Sequence, residues 1–282
     1  MCKKTLLITF LLVSNCYSDI QFHGTKETLE TIATIIKNKK SGCYLRFGDG
    51  DLNLAHGQGE LYQPFNSGVI KQEMREAFVL NDENILKTLP LYCKEFNGLE
   101  PHMFPGNHEV SYEQAQYFIA RAQPLWGAEM TDVYSHVALS YAAQYESDLC
   151  IQFLRFLKSQ NCIAFVGNTN IPHELITLLF GETISIIPTP ARNSFSAIDQ
   201  IQGACQEVLR NHDEYKIIIL SMGCSGRILA KRLWKEFNNV FIFDFGSLMD
   251  ALCGWNTRAW IELTNFDREI FFEKLKQKTE FF

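Results

Sequence analysis

The sequence has no Cys-x-x-C pair, no lysine or arginine run long enough to track a phosphate backbone, no internal repeat and no low-complexity tract. Its seven histidines fall at no metal-ligand spacing. The missing Cys-x-x-C excludes a zinc ribbon. The missing basic run, with a formal net charge of −6, argues against a nucleic-acid partner. A disordered chain is excluded by composition, since 46% of the 282 residues are hydrophobic and 13% aromatic. A chain of this length folded as one α/β domain buries roughly 75% of its unfolded surface.

Long apolar runs are also lacking, apart from one near the start. Lys3 and Lys4 precede Leu6–Val13, and Ser14, Asn15, Cys16, Tyr17 and Ser18 follow. This is the layout of a secretory signal with cleavage after Ser18, and the run is too short for a stable bilayer span. Residues 1–18 are therefore expected to be a signal peptide and 19–282 a single domain. Read so, the chain is exported to a periplasmic, secreted or lumenal compartment. Read instead as a buried N-terminal element, the segment leaves the chain cytoplasmic. No later segment is apolar enough to cross a membrane. Of the nine cysteines, Cys2 and Cys16 fall in this segment, and the other seven are scattered with no disulfide framework.

The rest alternates helical and strand patterns. Helices are expected at 25–38, 68–79, 111–122, 132–145, 147–158, 172–180, 196–211, 226–237 and 267–278, with a loop at 97–110. Strands are expected at 43–47, 162–166, 183–187, 216–221 and 240–244. Continuous apolar strands alternating with helices define an α/β, Rossmann-like fold, a mostly parallel sheet with helices on both faces. Ligands in such folds sit at the carboxyl ends of strands, so the turns after Phe47, Val166, Ile187, Leu220 and Phe243 are the places for chemistry.

Three of these turns carry suitable residues. Arg46-Phe47-Gly48-Asp49-Gly50-Asp51 places two carboxylates one residue apart beside glycines, a pattern that can hold a divalent cation against a diphosphate. An Asp/Gly turn bonding its own backbone is the plainer reading. Gly223-Cys224-Ser225-Gly226-Arg227 joins a strand to a helix, where free N–H groups and the helix dipole favour an anion; the alternative is a tight turn capped by Ser225. Asp244, ending a strand before Phe245-Gly246, can accept bonds from a ribose or sugar hydroxyl, or hold its own loop. Further on, Trp255 and Trp260 flank Arg258, an arrangement that stacks a base or sugar ring or packs a helix on the sheet.

The Arg-Phe-Gly-Asp-Gly-Asp run resembles the Arg-(Phe/Tyr)-Gly-Asp-Gly-Glu motif of the bacterial GT-D-type glycosyltransferases. Gly223-Cys224-Ser225-Gly226 and Asp244-Phe245-Gly246 are similar to two further points of that family. The likeness spans roughly residues 28–255, with Asp51 in place of the usual Glu and Cys224-Ser225-Gly226 in place of Pro-Thr-Ala. It implies a metal-dependent glycosyltransferase with a nucleotide-sugar donor and a glycan or glycoprotein acceptor. Asp49 and Asp51 would hold Mn²⁺ or Mg²⁺. Arg46, Gly48, Gly223, Ser225, Arg227 and Asp244 would surround the nucleotide diphosphate, with Arg46 orienting the aspartates. An inverting transfer needs a proton acceptor, for which Glu60, His56 and Asp250 are candidates. A non-catalytic nucleotide- or sugar-binding protein on the same fold stays open, as does a metal-dependent phosphohydrolase.

Overall fold

The computed structural model describes residues 20–91, 112–160, 162–263 and 266–277. The expected signal segment and the 97–110 loop lie outside them. The described strands are β1 (Gln21–His23), β2 (Gly42–Arg46), β3 (Ile85–Leu89), β4 (Asp132–Ser135), β5 (Cys162–Asn168), β6 (Ser185–Thr189), β7 (Lys216–Ser221) and β8 (Val240–Asp244). They form one sheet in the order β1-β4-β3-β2-β8-β7-β5-β6, and every pairing is parallel. The sheet has two halves, and they join where β2 pairs with β8.

Both faces are covered, which is why the central strands read as unbroken apolar runs. Alternation within a strand divides the core in two. Ile218 and Leu220 of β7 pack with Met74 and Phe78 of helix Gly68–Val79 and with Leu229 and Leu233 of helix Ser225–Glu236. Ile217 and Ile219 pack on the opposite face with Ile32 of helix Thr25–Lys37 and Leu154 of helix Ser147–Ser159. On the first face an ion cluster clamps three helices together. Lys231 bonds Glu73 and Glu76 (2.8 Å to the latter), and Arg232 bonds Glu73 at 2.8 Å and Asp199 at 2.6 Å. No helix among the described residues is long and apolar enough to cross a membrane.

Three expectations are corrected. The 132–145 helix is instead strand β4 followed by helix Ala138–Tyr145. Asp132–Ser135 is held extended by pairing with β1 and β3, contacts distant in sequence. Strand β3 was not expected, because Lys87 interrupts its apolar run. The Asp49-Gly50-Asp51 segment is not an open turn but the first turn of helix Asp49–Ala55, where acidic side chains suit the helix dipole.

Lys87 is itself buried at 4% exposure. Its Nζ donates to the carbonyls of Phe78 (3.1 Å) and Trp126 (2.6 Å) and lies 4.3 Å from the Trp126 ring centroid. Burial lowers its pKa to about 7. The unfolded chain, with an ordinary lysine, binds the proton up to about pH 10, so this site adds stability as pH rises through that window. Denaturant titration should show a gain of ~1.5 kcal/mol between pH 7 and 8.5 for the native chain. Lys87→Met should lack that gain; an equal pH slope in the variant would refute the assignment.

Candidate functional site

The carboxyl ends of β2, β5, β6, β7 and β8 open into one cavity of about 580 Å³. This is where a parallel sheet is expected to hold its ligand. Strands β5 and β6 run two residues further than expected, so Asn168 and Thr189 line it.

At its floor is a buried charge cluster. Arg227 leaves the first turn of helix Ser225–Glu236, and its Nε donates to the Arg46 carbonyl at 2.7 Å. Its Nη2 donates to the same oxygen, and its Nη1 donates to the Gly223 carbonyl at 2.6 Å. The guanidinium also faces Asp51 Oδ1 at 3.4 Å and Asp244 Oδ2 at 3.1 Å. Burial disfavours its charge, but Asp244 and Asp51 outweigh that and raise its pKa further. Arg227 thus knits β2, β7 and β8 together, and its donors are committed to the protein itself. Asp51 Oδ1 and Asp244 Oδ2 are buried without a hydrogen-bond partner among the described residues, and each faces the Arg227 guanidinium.

Asp49 and Asp51 are not equivalent. Two residues apart on a helix, side chains diverge by about 200°. Asp49 faces solvent, one oxygen accepting the Gly50 N–H at 2.9 Å. Asp51 is 2% exposed, and its Oδ2 accepts the Gly48 N–H at 2.8 Å. Burial pushes its carboxyl above the usual range, and Arg227, the Gly48 amide and the Cys224 thiol only partly pull it back. Both line the cavity, from different depths. Between them Gly50 sits where a side chain would be tightly packed. A Cβ there would lie 3.2 Å from Cys224 Sγ and 3.4 Å from Glu60 Cβ. Glu60 is thereby folded over the Asp49–Asp51 turn, and its buried Oε1 has no hydrogen-bond partner among the described residues.

Arg46 donates from Nε to the His136 carbonyl at 2.7 Å. Its guanidinium lies against Gly246, where a Cβ would fall 1.2 Å from Nη1. Gly246 also has φ +67°, in the left-handed region. The Asp-Phe-Gly of the sequence therefore needs its glycine twice, for the turn and for Arg46. Gly246→Ala should lower stability by at least ~1–2 kcal/mol, from backbone strain alone, and displace Arg46. Thermal melting and a crystal structure of the variant test both.

His136, just past β4, lines the cavity with Nδ1 2.9 Å from Thr88 Oγ1. Burial and the guanidiniums of Arg46, Arg227 and Arg258 hold its pKa well below the ordinary imidazole value, so the ring is neutral at neutral pH. Sequence reading missed it because β4 looked helical; its place at a strand end was the signal.

Of the other sequence candidates, Gly48, Gly223, Ser225, Asp244, Glu60 and Asp250 all line the cavity. Asp250 accepts the Thr257 hydroxyl at 2.6 Å, and burial raises its carboxyl pKa. Ser225 is buried and begins the helix, with Cys224 rather than Ser225 at the cap position. The amides of Gly226 and Arg227 bond back to Gly223 and Cys224 at 3.0 and 3.2 Å. His56 is not part of the cavity lining. Its ring lies 3.2 Å from the Arg121 carbonyl, because five helical residues after Asp51 turn it about 140° away. Trp255 and Trp260 both line the cavity, and Trp260 is also core, 7% exposed, donating to Ser247 at 3.0 Å. Arg258 stacks over Tyr62 at 5.0 Å, and both line the cavity.

The strand ends of a parallel sheet that enclose carboxylates, guanidiniums and a helix N-terminus define an α/β protein with a polar cavity at the carboxyl edge of its sheet. The glycosyltransferase GT-D fold family matches residues 44–255, and the chain belongs to that family. Membership supports glycosyltransferase function. Among solved structures, the chain is similar to one described as a new glycosyltransferase (domain of unknown function 1792) from Streptococcus sanguinis. Identity is 21%, 82% of each chain is covered, and the TM-score is 0.62. Another, described as the highly conserved domain of unknown function 1792 with a distinct glycosyltransferase fold, matches at 17% identity and TM-score 0.57. It covers 86% of this chain and 83% of its own. At such identities these likenesses show the fold. No curated protein matches the chain.

Proposed function

We propose that the protein transfers a sugar from a nucleoside diphosphate sugar to an acceptor hydroxyl on a glycan or glycoprotein, with Mn²⁺ or Mg²⁺ at Asp49 and Asp51. The carrying observation is the charge balance of the cavity. Asp49, Asp51, Glu60, Asp244 and Asp250 line it against Arg46, Arg192, Arg227 and Arg258, so carboxylates outnumber guanidiniums. A diphosphate entering such a space needs an added cation.

The residues that would hold one are Asp51, whose buried Oδ1 has no hydrogen-bond partner among the described residues, and Asp49, which lines the same cavity from an exposed position and would have to turn toward it. Among the described residues no three His, Cys, Asp or Glu side chains converge as metal ligands. Two carboxylates plus substrate phosphates is the usual way Mg²⁺ is held. A divalent cation there would neutralise charge developing on the departing diphosphate. Arg46, braced by Gly246 and the His136 carbonyl, keeps its guanidinium in the cavity that the two aspartates line. Glu60, with its unpartnered Oε1 beside that turn, takes the proton from the acceptor hydroxyl. Neutral His136 offers hydrogen bonding without adding positive charge.

Calorimetry should detect cation binding that is weak alone and strengthened at least tenfold by a nucleoside diphosphate. Incubation with a panel of nucleotide sugars and Mn²⁺ should give transfer or donor hydrolysis. Glu60→Gln should slow transfer by ~10²–10⁴-fold while nucleotide affinity is kept. The arginine already facing Asp51 favours one other reading, a nucleotide- or sugar-binding protein without turnover. Tight binding with no turnover across the panel would establish that reading instead.

A further inference from the structure

We propose that the end of the cavity formed by β5 and β6 is a separate subsite for uncharged hydroxyls, in which Thr189 and Asn168 bind a pyranose or ribose ring. This deepens the transferase reading and rests on it only for the identity of the ligand.

The two side chains are neighbours by strand register, Asn168 pairing with Thr189 at the last rung of β5 and β6. Thr189 is 2% exposed and lines the cavity, yet its Oγ1 has no hydrogen-bond partner among the described residues. A buried hydroxyl left unpaired is unfavourable, so a partner belongs there. Asn168 Oδ1 accepts the Asn170 N–H at 3.0 Å, which fixes the amide and leaves its NH₂ to donate. Ser221 on β7 lines the cavity beside them, opposite Gly167. One side chain that accepts and donates, next to one that donates, is the complement of adjacent ring hydroxyls.

The chemistry differs from the other end. The acids of the cavity come from the segments after β2 and β8, while the segments after β5 and β6 contribute Asn168, Thr189, Arg192 and Ser194 and no carboxylate. Four strand spacings separate β2 from β6, about 19 Å. A diphosphate held near Asp49 and Asp51 fills only part of that length. The loop that follows β6 is tied to the 62–63 segment. Asn193, at φ +53°, donates its N–H to the Tyr62 carbonyl at 2.8 Å, and the Phe195 N–H meets Gln63 Oε1 at 3.4 Å. A preformed pocket with a few placed polar groups is the usual form of a small-ligand site.

Thr189→Val removes the hydroxyl and keeps the shape, so folding should be retained, as thermal melting will show. Four measurements on native protein and variant read the subsite. They are calorimetry with a nucleoside diphosphate, calorimetry with uridine and guanosine diphosphate sugars, the acceptor KM, and saturation-transfer NMR with free glucose, galactose and ribose. A loss of about 3–10-fold is expected, the weight of one hydrogen bond. Loss toward the nucleoside diphosphate as well as the nucleotide sugar places ribose at Thr189. Loss toward the nucleotide sugar alone places the donor sugar there, and loss in acceptor KM alone the acceptor. The free-sugar arm does not depend on turnover. A Thr189-dependent sugar signal in a protein without transferase activity would uphold the subsite while the transferase reading fails. Unchanged values in every arm, for both Thr189→Val and Asn168→Ala, would overturn the subsite even if transfer proceeds.

Discussion

Asp49→Asn is expected to reduce cation-dependent turnover by about 10³-fold, the weight of a metal ligand acting on a departing diphosphate, with almost no change in melting temperature. Asp51→Ala is expected to lose turnover to the same degree and to lower stability by ~1–3 kcal/mol as well. The contrast comes from the helix. Asp49 is solvent-facing and bonds only its neighbour's amide, so its loss is felt in chemistry alone. Asp51 holds the Gly48 amide and faces Arg227 in the core, so its loss unpairs both. The measurements are steady-state rates over a cation titration and a denaturant curve for each variant. Native-like rates in Asp49→Asn would remove the cation from the mechanism and leave Asp51 as a purely structural residue.

Arg227→Met should be the most destabilising single change in the cavity. It strands two buried carboxylates, Asp51 and Asp244, and unpairs the carbonyls of Arg46 and Gly223. Breaking a buried charge pair from one side typically costs ~3–5 kcal/mol. For a chain of this size that corresponds to a fall in Tm of roughly 10 °C. The deficit should depend on pH. Burial already holds the Asp51 carboxyl above its ordinary value, and losing the guanidinium removes the charge that partly offsets this. The contribution of Asp51 is then fullest at low pH and lost as pH rises through the raised value. The gap between native protein and variant should be smaller at pH 5 than at pH 8. Arg227→Lys should recover only part of the loss, since a single ammonium cannot reach two carbonyls and two carboxylates at once. A gap that is constant across pH would mean the carboxylates are hydrated in the variant and the cluster is not sealed.

How far the site was legible depended on whether its parts were local. Arg46 through Asp51 is one contiguous run, and its combination of acids and glycines was readable. So were the ends of β7 and β8, because a buried parallel strand is an uninterrupted apolar segment and its end is marked by the first polar residue. His56 and Asp51 are near in sequence but not in space, since on a helix five residues point elsewhere. Glu60 lines the cavity because the chain turns back at Gly57 and lays it over Gly50. The role of Arg227 was read as phosphate binding, since a helix N-terminus invites that; its carboxylate partners lie far away in the chain and carry no local mark.

The sequence by itself determined the layered α/β architecture, the alternation of its second half and the family motif, all of which follow from short-range patterns of polarity and glycine. The tertiary structure alone decided that β1, β3 and β4 exist, that His136 and Thr189 face the same cavity as Asp51, and that Arg227 is spent inside the protein. These depend on which strands lie side by side. Strand order in a parallel sheet is set by the packing of connecting helices over long loops, and nothing in a local window encodes it.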